Sequence, residues 1–411
     1  MKQILSINWT KIALINFLIV SFYGLIMRYK IAFPFPYFEQ KNLQHAHSHF
    51  AFIGWVSLLL MVLMIRVIRK RTTEKYLNQL NFILYTHLLC AYALLISFTL
   101  SGYGVTSIVL SSLTIIISFA FAIFYFRAIK NIKDLDSKNW FLAALLFLVI
   151  SSIGTFYLSY ITATRQMTEH GYLASIYWYL HFQYNGWFFF ACAGLFVDSL
   201  QKTHLKIKSL NSIFWMLAIS CIPAYGLSVL WLNLDTWIYV IVCIAAIIQF
   251  YAIVKFLIEI SRVKFFSTII HSPLMKFMVI FIGFSLLLKF TLQLGTTVPA
   301  IAKFAFGFRP IVIAYLHLVF LAFTSLFLVS YLYLNNLLKF NKTATAGILL
   351  LSIGVILNEF VLGLQGIASL TYTPVPYSNE ALFGITILLF ISLIMVNFAK
   401  PNKHIEHDEH A

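Results

Sequence analysis

The chain has 411 residues, of which 61% are hydrophobic and 10% charged, with a formal net charge of +16. Soluble domains carry roughly a quarter charged residues, and a soluble fold of this length could not hide so much apolar surface behind a polar exterior. Composition therefore excludes a soluble enzyme, a nucleic-acid-binding domain and a disordered chain, and predicts an all-α polytopic membrane protein.

A helix needs roughly 20 apolar residues to cross the hydrocarbon core. In chain order, segments at 10–29, 44–68, 77–101, 104–128, 139–163, 170–198, 209–232, 236–258, 273–297, 310–336, 343–366 and 378–398 meet that need. They predict twelve transmembrane helices in one domain over 1–400, with a short charged tail at 401–411. The first run has no small-residue cleavage site and is followed by Arg28 and Lys30, so it reads as a retained span. Cys90, Cys192, Cys221 and Cys243 sit in apolar runs without a CxxC pair and read as packing residues. No short sequence repeat stands out.

Most of the 29 Lys and Arg fall in one set of loops, among them Arg66, Arg69, Lys70, Arg71, Lys130, Lys133, Lys138, Lys202, Lys206, Lys208, Arg262 and Lys264. The opposite set holds Arg28, Lys30, Lys41, Arg165, Lys303 and Arg309. This asymmetry predicts cytoplasmic termini and a multi-pass protein of a bacterial inner membrane, and it explains the basic charge without a nucleic-acid partner. Two longer outer connections, 31–43 and 365–379, carry Pro34, Pro36 and Tyr37, and Pro374, Pro376 and Tyr377. They suit ordered caps over helix ends or a surface for a quinol or partner subunit.

Ionisable side chains inside spans are functional candidates by default. The second span opens with Gln44-His45-Ala46-His47-Ser48-His49. His45 and His49 are i, i+4 and share a helix face, while His47 points away from it. Imidazole is the commonest metal ligand and a usual axial ligand of haem iron; interfacial hydrogen bonding is the plain alternative. His317 lies about 10 Å into the tenth span and His49 about 8 Å into the second, at 1.5 Å per residue. Matched depth on two outward-opening helices fits two axial ligands of one haem. Arg309, just before the tenth span, could bind a propionate or snorkel. In the sixth span, His181 and Asn185 share a face with Tyr177 and Tyr184 nearby, a cluster suited to a ligand pocket, a proton relay or an internal hydrogen-bond network. His87 in the third span is a weaker candidate of the same kind, and His170 next to Glu169 is interfacial. Lys289 and Gln293 share a face of the ninth span, and Asn358 and Glu359 lie at comparable depth on the eleventh; a buried Lys289–Glu359 pair would satisfy both charges. His404, His407 and His410 belong to the solvated tail, and His204 and His271 to loops.

Twelve spans, cytoplasmic termini and histidines on the second, sixth and tenth spans together resemble haem-copper oxidase subunit I. The segment His45 to Trp55 is also similar to the opening of the second helix in the NnrS group of haem- and copper-containing membrane proteins linked to nitric oxide stress. The resemblance implies haem held by the His45/His47/His49 cluster and His317, copper at His181, with His47 a further metal candidate, and electrons from quinol or a separate cytochrome. It implies a role in respiration or nitric oxide handling, as an oxidoreductase if the chain is an enzyme at all. The family's histidine pair near the seventh helix is absent, and Tyr315 stands where its tenth helix has a second histidine. A complete binuclear oxygen-reducing centre is therefore not expected. A proton-coupled or metal-ion transporter using the same histidines, and a purely structural subunit, are the competing expectations.

Overall fold

A computed structural model describes residues 8–263, 265–337 and 341–399. The tail with His404, His407 and His410, and Lys264, lie outside the described residues. The described chain is helical, without a strand. Its long helices are α1 (Trp9–Ala32), α2 (Gln40–Ile68), α3 (Glu74–Ser101), α4 (Val105–Ile129) and α5 (Lys138–Ala163). Next come α6 (Glu169–His181, Phe182–Phe188 and Phe189–Lys202) and α7 (Leu210–Cys221 and Pro223–Val229). The series ends with α8 (Thr236–Arg262), α9 (Pro273–Gly295), α10 (Arg309–Leu334), α11 (Lys342–Leu370) and α12 (Ser378–Phe398).

Ten of these are long and apolar enough to cross a membrane, and α7 makes an eleventh if its two halves, bent by 48°, form one span. Among the described residues α6 falls short of that apolar test although it is continuous in helix, because His181, Gln183, Asn185 and its tyrosines dilute its hydrophobicity. This is an integral, multi-pass membrane fold. Both described ends lie at one face: Asn397 Nδ2 donates to the Leu14 carbonyl at 3.1 Å, and the Lys11 ammonium sits 5.1 Å from the Phe398 ring centroid. That end is the terminal face and the other the far face.

The helix pattern repeats around the bundle. Helices α2, α6 and α10 each contain a π-helical segment, at Ala51–Ser57, Phe182–Phe188 and Leu318–Ser325. The three segments meet at the centre. Phe52, Phe188 and Phe320 contact one another with ring centroids 5.7, 4.5 and 5.9 Å apart. Two indole N–H groups tie the same helices: Trp55 Nε1 donates to Ser325 Oγ at 3.0 Å, and Trp187 Nε1 to Ser57 Oγ at 3.1 Å. With 72% of its apolar window buried, α2 is the most enclosed of the membrane helices.

A π segment shifts the backbone ladder and frees carbonyls, which must find partners where water is absent. In α2, Asn16 Nδ2 donates to Gly54 O at 2.6 Å, and His87 Nε2 donates to Ile53 O at 3.0 Å, which also accepts the Leu58 N–H. The break in α7 works similarly. Tyr225 N–H bonds the Ile222 carbonyl instead of continuing the ladder to Cys221, and the Cys221 carbonyl takes its hydrogen from His181 Nε2 at 2.9 Å.

Packing differs between the two ends. The π segments and the helix toward the terminal face are buried almost throughout. Toward the far face, α10 has no buried residue from Arg309 to His317, α6 has only Ser175 and His181 from Glu169 to His181, and α1 has none after Val20. The far half of the bundle is therefore less tightly buried than the central aromatic cluster and the terminal half.

Candidate functional site

Two histidines lie in this less buried half, one on α2 and one on α10. His47 on α2 donates Nδ1–H to the Val20 carbonyl of α1 at 3.0 Å. His317 on α10 donates Nδ1–H to the Ile313 carbonyl of its own helix at 2.9 Å. A carbonyl can only accept, so each neutral ring carries its proton on Nδ1 and presents an unprotonated Nε2. Neither Nε2 has a hydrogen-bond partner among the described residues. Histidines that bind metal typically have the other ring nitrogen fixed in this way.

The two imidazoles lie within electrostatic range of each other, and both feel Arg28 of α1. Arg28 has no carboxylate partner among the described residues, where the one ion pair is Asp198–Lys202 at 2.5 Å. Gly24 of α1 lies beside His47, where a Cβ would make an ordinary 3.5 Å contact with the imidazole Cε1. Arg309 donates to Gln44 Oε1 at 3.0 Å, bridging the far ends of α10 and α2.

The other sequence candidates separate from this pair. His45 and His49 share a face, as their spacing requires, but the face looks toward α3. His49 stacks on Phe98 with centroids 4.4 Å apart and lies 3.1 Å from the Tyr103 hydroxyl through Nε2. His47, on the opposite side, packs against α1 at Val20 and Gly24. His181 is fully buried and both its nitrogens are engaged: Nε2–H caps the Cys221 carbonyl, and Nδ1 accepts from Asn185 Nδ2 at 3.0 Å. Among the described residues no three His, Cys, Asp or Glu side chains converge as metal ligands. The donors around His181 thus do not fit a copper ion. His87 serves the π segment of α2. Tyr184 packs on Tyr315 and Phe320.

The expected Lys289–Glu359 pair does not form. Lys289 is fully buried, donates to Gln293 Oε1 at 3.1 Å and sits 3.8 Å from the Phe290 ring centroid. Glu359 is bonded to Asn358 at 3.3 Å. Helices α9 and α11 belong to different parts of the ring, and comparable depth does not bring them together. A buried amine with one acceptor for its donors is costly. Lys289→Met is expected to stabilise the protein by about 1 kcal/mol or more, read as a higher melting temperature in detergent.

One signal in the sequence went unused. His49-Phe50-Ala51-Phe52-Ile53-Gly54-Trp55 matches His181-Phe182-Gln183-Tyr184-Asn185-Gly186-Trp187, and His317-Leu318-Val319-Phe320-Leu321-Ala322-Phe323 follows the same order of histidine, aromatic, small residue and aromatic. The residue two before each histidine is His47, Tyr179 and Tyr315. Of these three positions, only the one on α2 is itself a histidine. An apolar cavity of about 370 Å³ lies elsewhere, toward the terminal face between α6 and α8–α10, lined by Phe189, Leu286, Phe323 and Asn335 among others. It does not touch the histidine pair.

The sequence matches no family model and no curated protein.

Proposed function

We propose that the chain is a twelve-span membrane haem protein resembling haem-copper oxidase subunit I. It would hold one low-spin haem between α2 and α10 with its terminal face cytoplasmic. The observation that carries this reading is the pair His47 and His317. Each ring has its proton fixed on Nδ1 by a backbone carbonyl, and each leaves Nε2 without a hydrogen-bond partner among the described residues. A bound haem would supply a one-electron carrier. His47 and His317 would hold the group through ring nitrogens whose orientation is fixed by backbone carbonyls, and Arg28 and Arg309 would supply positive charge. The aromatic cluster of Phe52, Phe188 and Phe320 would close the space from below and exclude water.

The bilayer is the surrounding partner, and quinol or a separate cytochrome is the expected electron donor in respiration or nitric oxide handling. Copper forms no part of this reading, because His181 has no free nitrogen. A transport function would draw on Lys289, a buried amine with no carboxylate partner among the described residues. Solute uptake by proteoliposomes from protein without haem would favour it.

The test is a reduced-minus-oxidised spectrum of protein purified after expression with ample haem. A Soret and a sharp α band in proportion to protein are expected. Their absence would sink the proposal.

A further inference from the structure

The cleft beside α2 and α3 has a donor set of its own, which the haem reading does not use. His45 and His49 project from α2 one turn apart. Tyr103 faces them from the short Gly102-Tyr103-Gly104 connection between α3 and α4. That connection docks on α2 only because Gly102 is a glycine. Its φ is +59°, and a Cβ there would stand 2.3 Å from Asn42 Oδ1. The docking brings the Tyr103 hydroxyl to 3.1 Å from His49 Nε2, and the Tyr103 ring to 4.6 Å from the His45 ring, centroid to centroid. Phe98 supports both imidazoles from behind, at 4.4 and 5.9 Å.

We propose that His45, His49 and Tyr103 bind a divalent transition-metal ion of the zinc or copper(II) class at the far face. Two observations point to a ligand. First, His45 Nε2 is buried and has no hydrogen-bond partner; an orphaned ring nitrogen among aromatic rings costs about 1–3 kcal/mol, and a metal bond would satisfy it. Second, the His49–Tyr103 spacing is that of two ligands on one ion. Donors each about 2.1 Å from a metal at near-tetrahedral angles stand about 3.4 Å apart, so the observed contact needs only a small adjustment.

Tyr103 is 57% exposed. The site therefore opens toward the far face, where water would complete the coordination. Lys41, the cation nearest His45, is exposed to solvent, where screening weakens its repulsion. Two imidazoles at i, i+4 with one phenolate oxygen suit a borderline ion better than calcium or magnesium, which prefer several hard oxygens. The site is independent of haem and uses neither His47 nor His317.

The test is a titration of the full-length chain in detergent with zinc sulfate, read by calorimetry. The tail imidazoles are removed in every sample by His404→Ala, His407→Ala and His410→Ala. One ion per chain is expected. His45→Ala and Tyr103→Phe should each weaken binding by about tenfold or more, whereas His204→Ala, in a loop, should leave it unchanged. Tyr103→Phe keeps the ring and its packing, so a melting temperature equal to the parent's separates lost ligation from lost folding. Copper(II) loading provides a second readout: electron paramagnetic resonance should show coupling to two imidazole nitrogens. A parent that binds no ion, or variants at residues 45 and 103 that bind as tightly as the parent, would overturn the proposal whatever the haem spectrum shows.

Discussion

If the chain holds haem as proposed, His47→Ala and His317→Ala are each expected to abolish the six-coordinate low-spin spectrum, while His49→Ala is expected to leave it intact. This contrast follows from the side of α2 on which each imidazole stands. The Val20 carbonyl holds the His47 ring through Nδ1 and leaves Nε2 without a hydrogen-bond partner among the described residues. The His49 ring is stacked on Phe98 and engaged by Tyr103, on the far side of the helix. Removing one of two axial ligands leaves iron five-coordinate or the haem unbound, so the change in the α band is total rather than graded. Reduced-minus-oxidised spectra of the three variants, normalised to protein, decide the matter. Loss of the spectrum in the His49 variant with retention in the His47 variant would reverse the assignment.

Gly186→Val is expected to destabilise the protein more than any other single change considered, by about 1–3 kcal/mol or beyond. A Cβ at residue 186 would stand 2.4 Å from Phe147 Cβ, far inside van der Waals contact. The obstacle is the root of a fully buried side chain, not its flexible end. Helix α5 would have to move away from the π segment of α6. The neighbouring Trp187–Ser57 hydrogen bond links α6 to α2, so the displacement would reach the centre of the bundle. Thermal denaturation in detergent should show a lower midpoint or no folded, monodisperse protein. Gly384→Ala on α12 is the control, because a Cβ there meets nothing within 4 Å; its midpoint should stay with the parent's.

Much of the fold is legible in the sequence because the bilayer imposes it. Apolar length marks the spans, and all-helical structure follows from the need to satisfy every backbone group internally. The sixth span is legible by position but not by hydropathy, since its polar stretch belongs to the interior. The π segments and the bend of α7 are not legible. They depend on whether a neighbouring side chain, such as Asn16 or His181, reaches the freed carbonyl. The candidate site is half legible. Helical geometry correctly pairs His45 with His49 and sets His47 apart. Which of those faces meets α10 depends on how α2 is rotated among its neighbours, and spacing carries no information on that. Lys289 and Glu359 show the same limit: depth along a helix is readable, while position around the ring is not. The threefold pattern around His49, His181 and His317 was present in the letters. It is carried by aromatic and small-residue classes more than by identity, and its copies lie in distant spans.

The most direct test of the account is low-temperature electron paramagnetic resonance of the oxidised, purified chain, with haem and protein quantified on the same sample. The account predicts one haem per chain with the rhombic low-spin signal of bis-imidazole iron. A high-spin signal, a haem content near zero, or a low-spin signal that survives substitution of both His47 and His317 would contradict it.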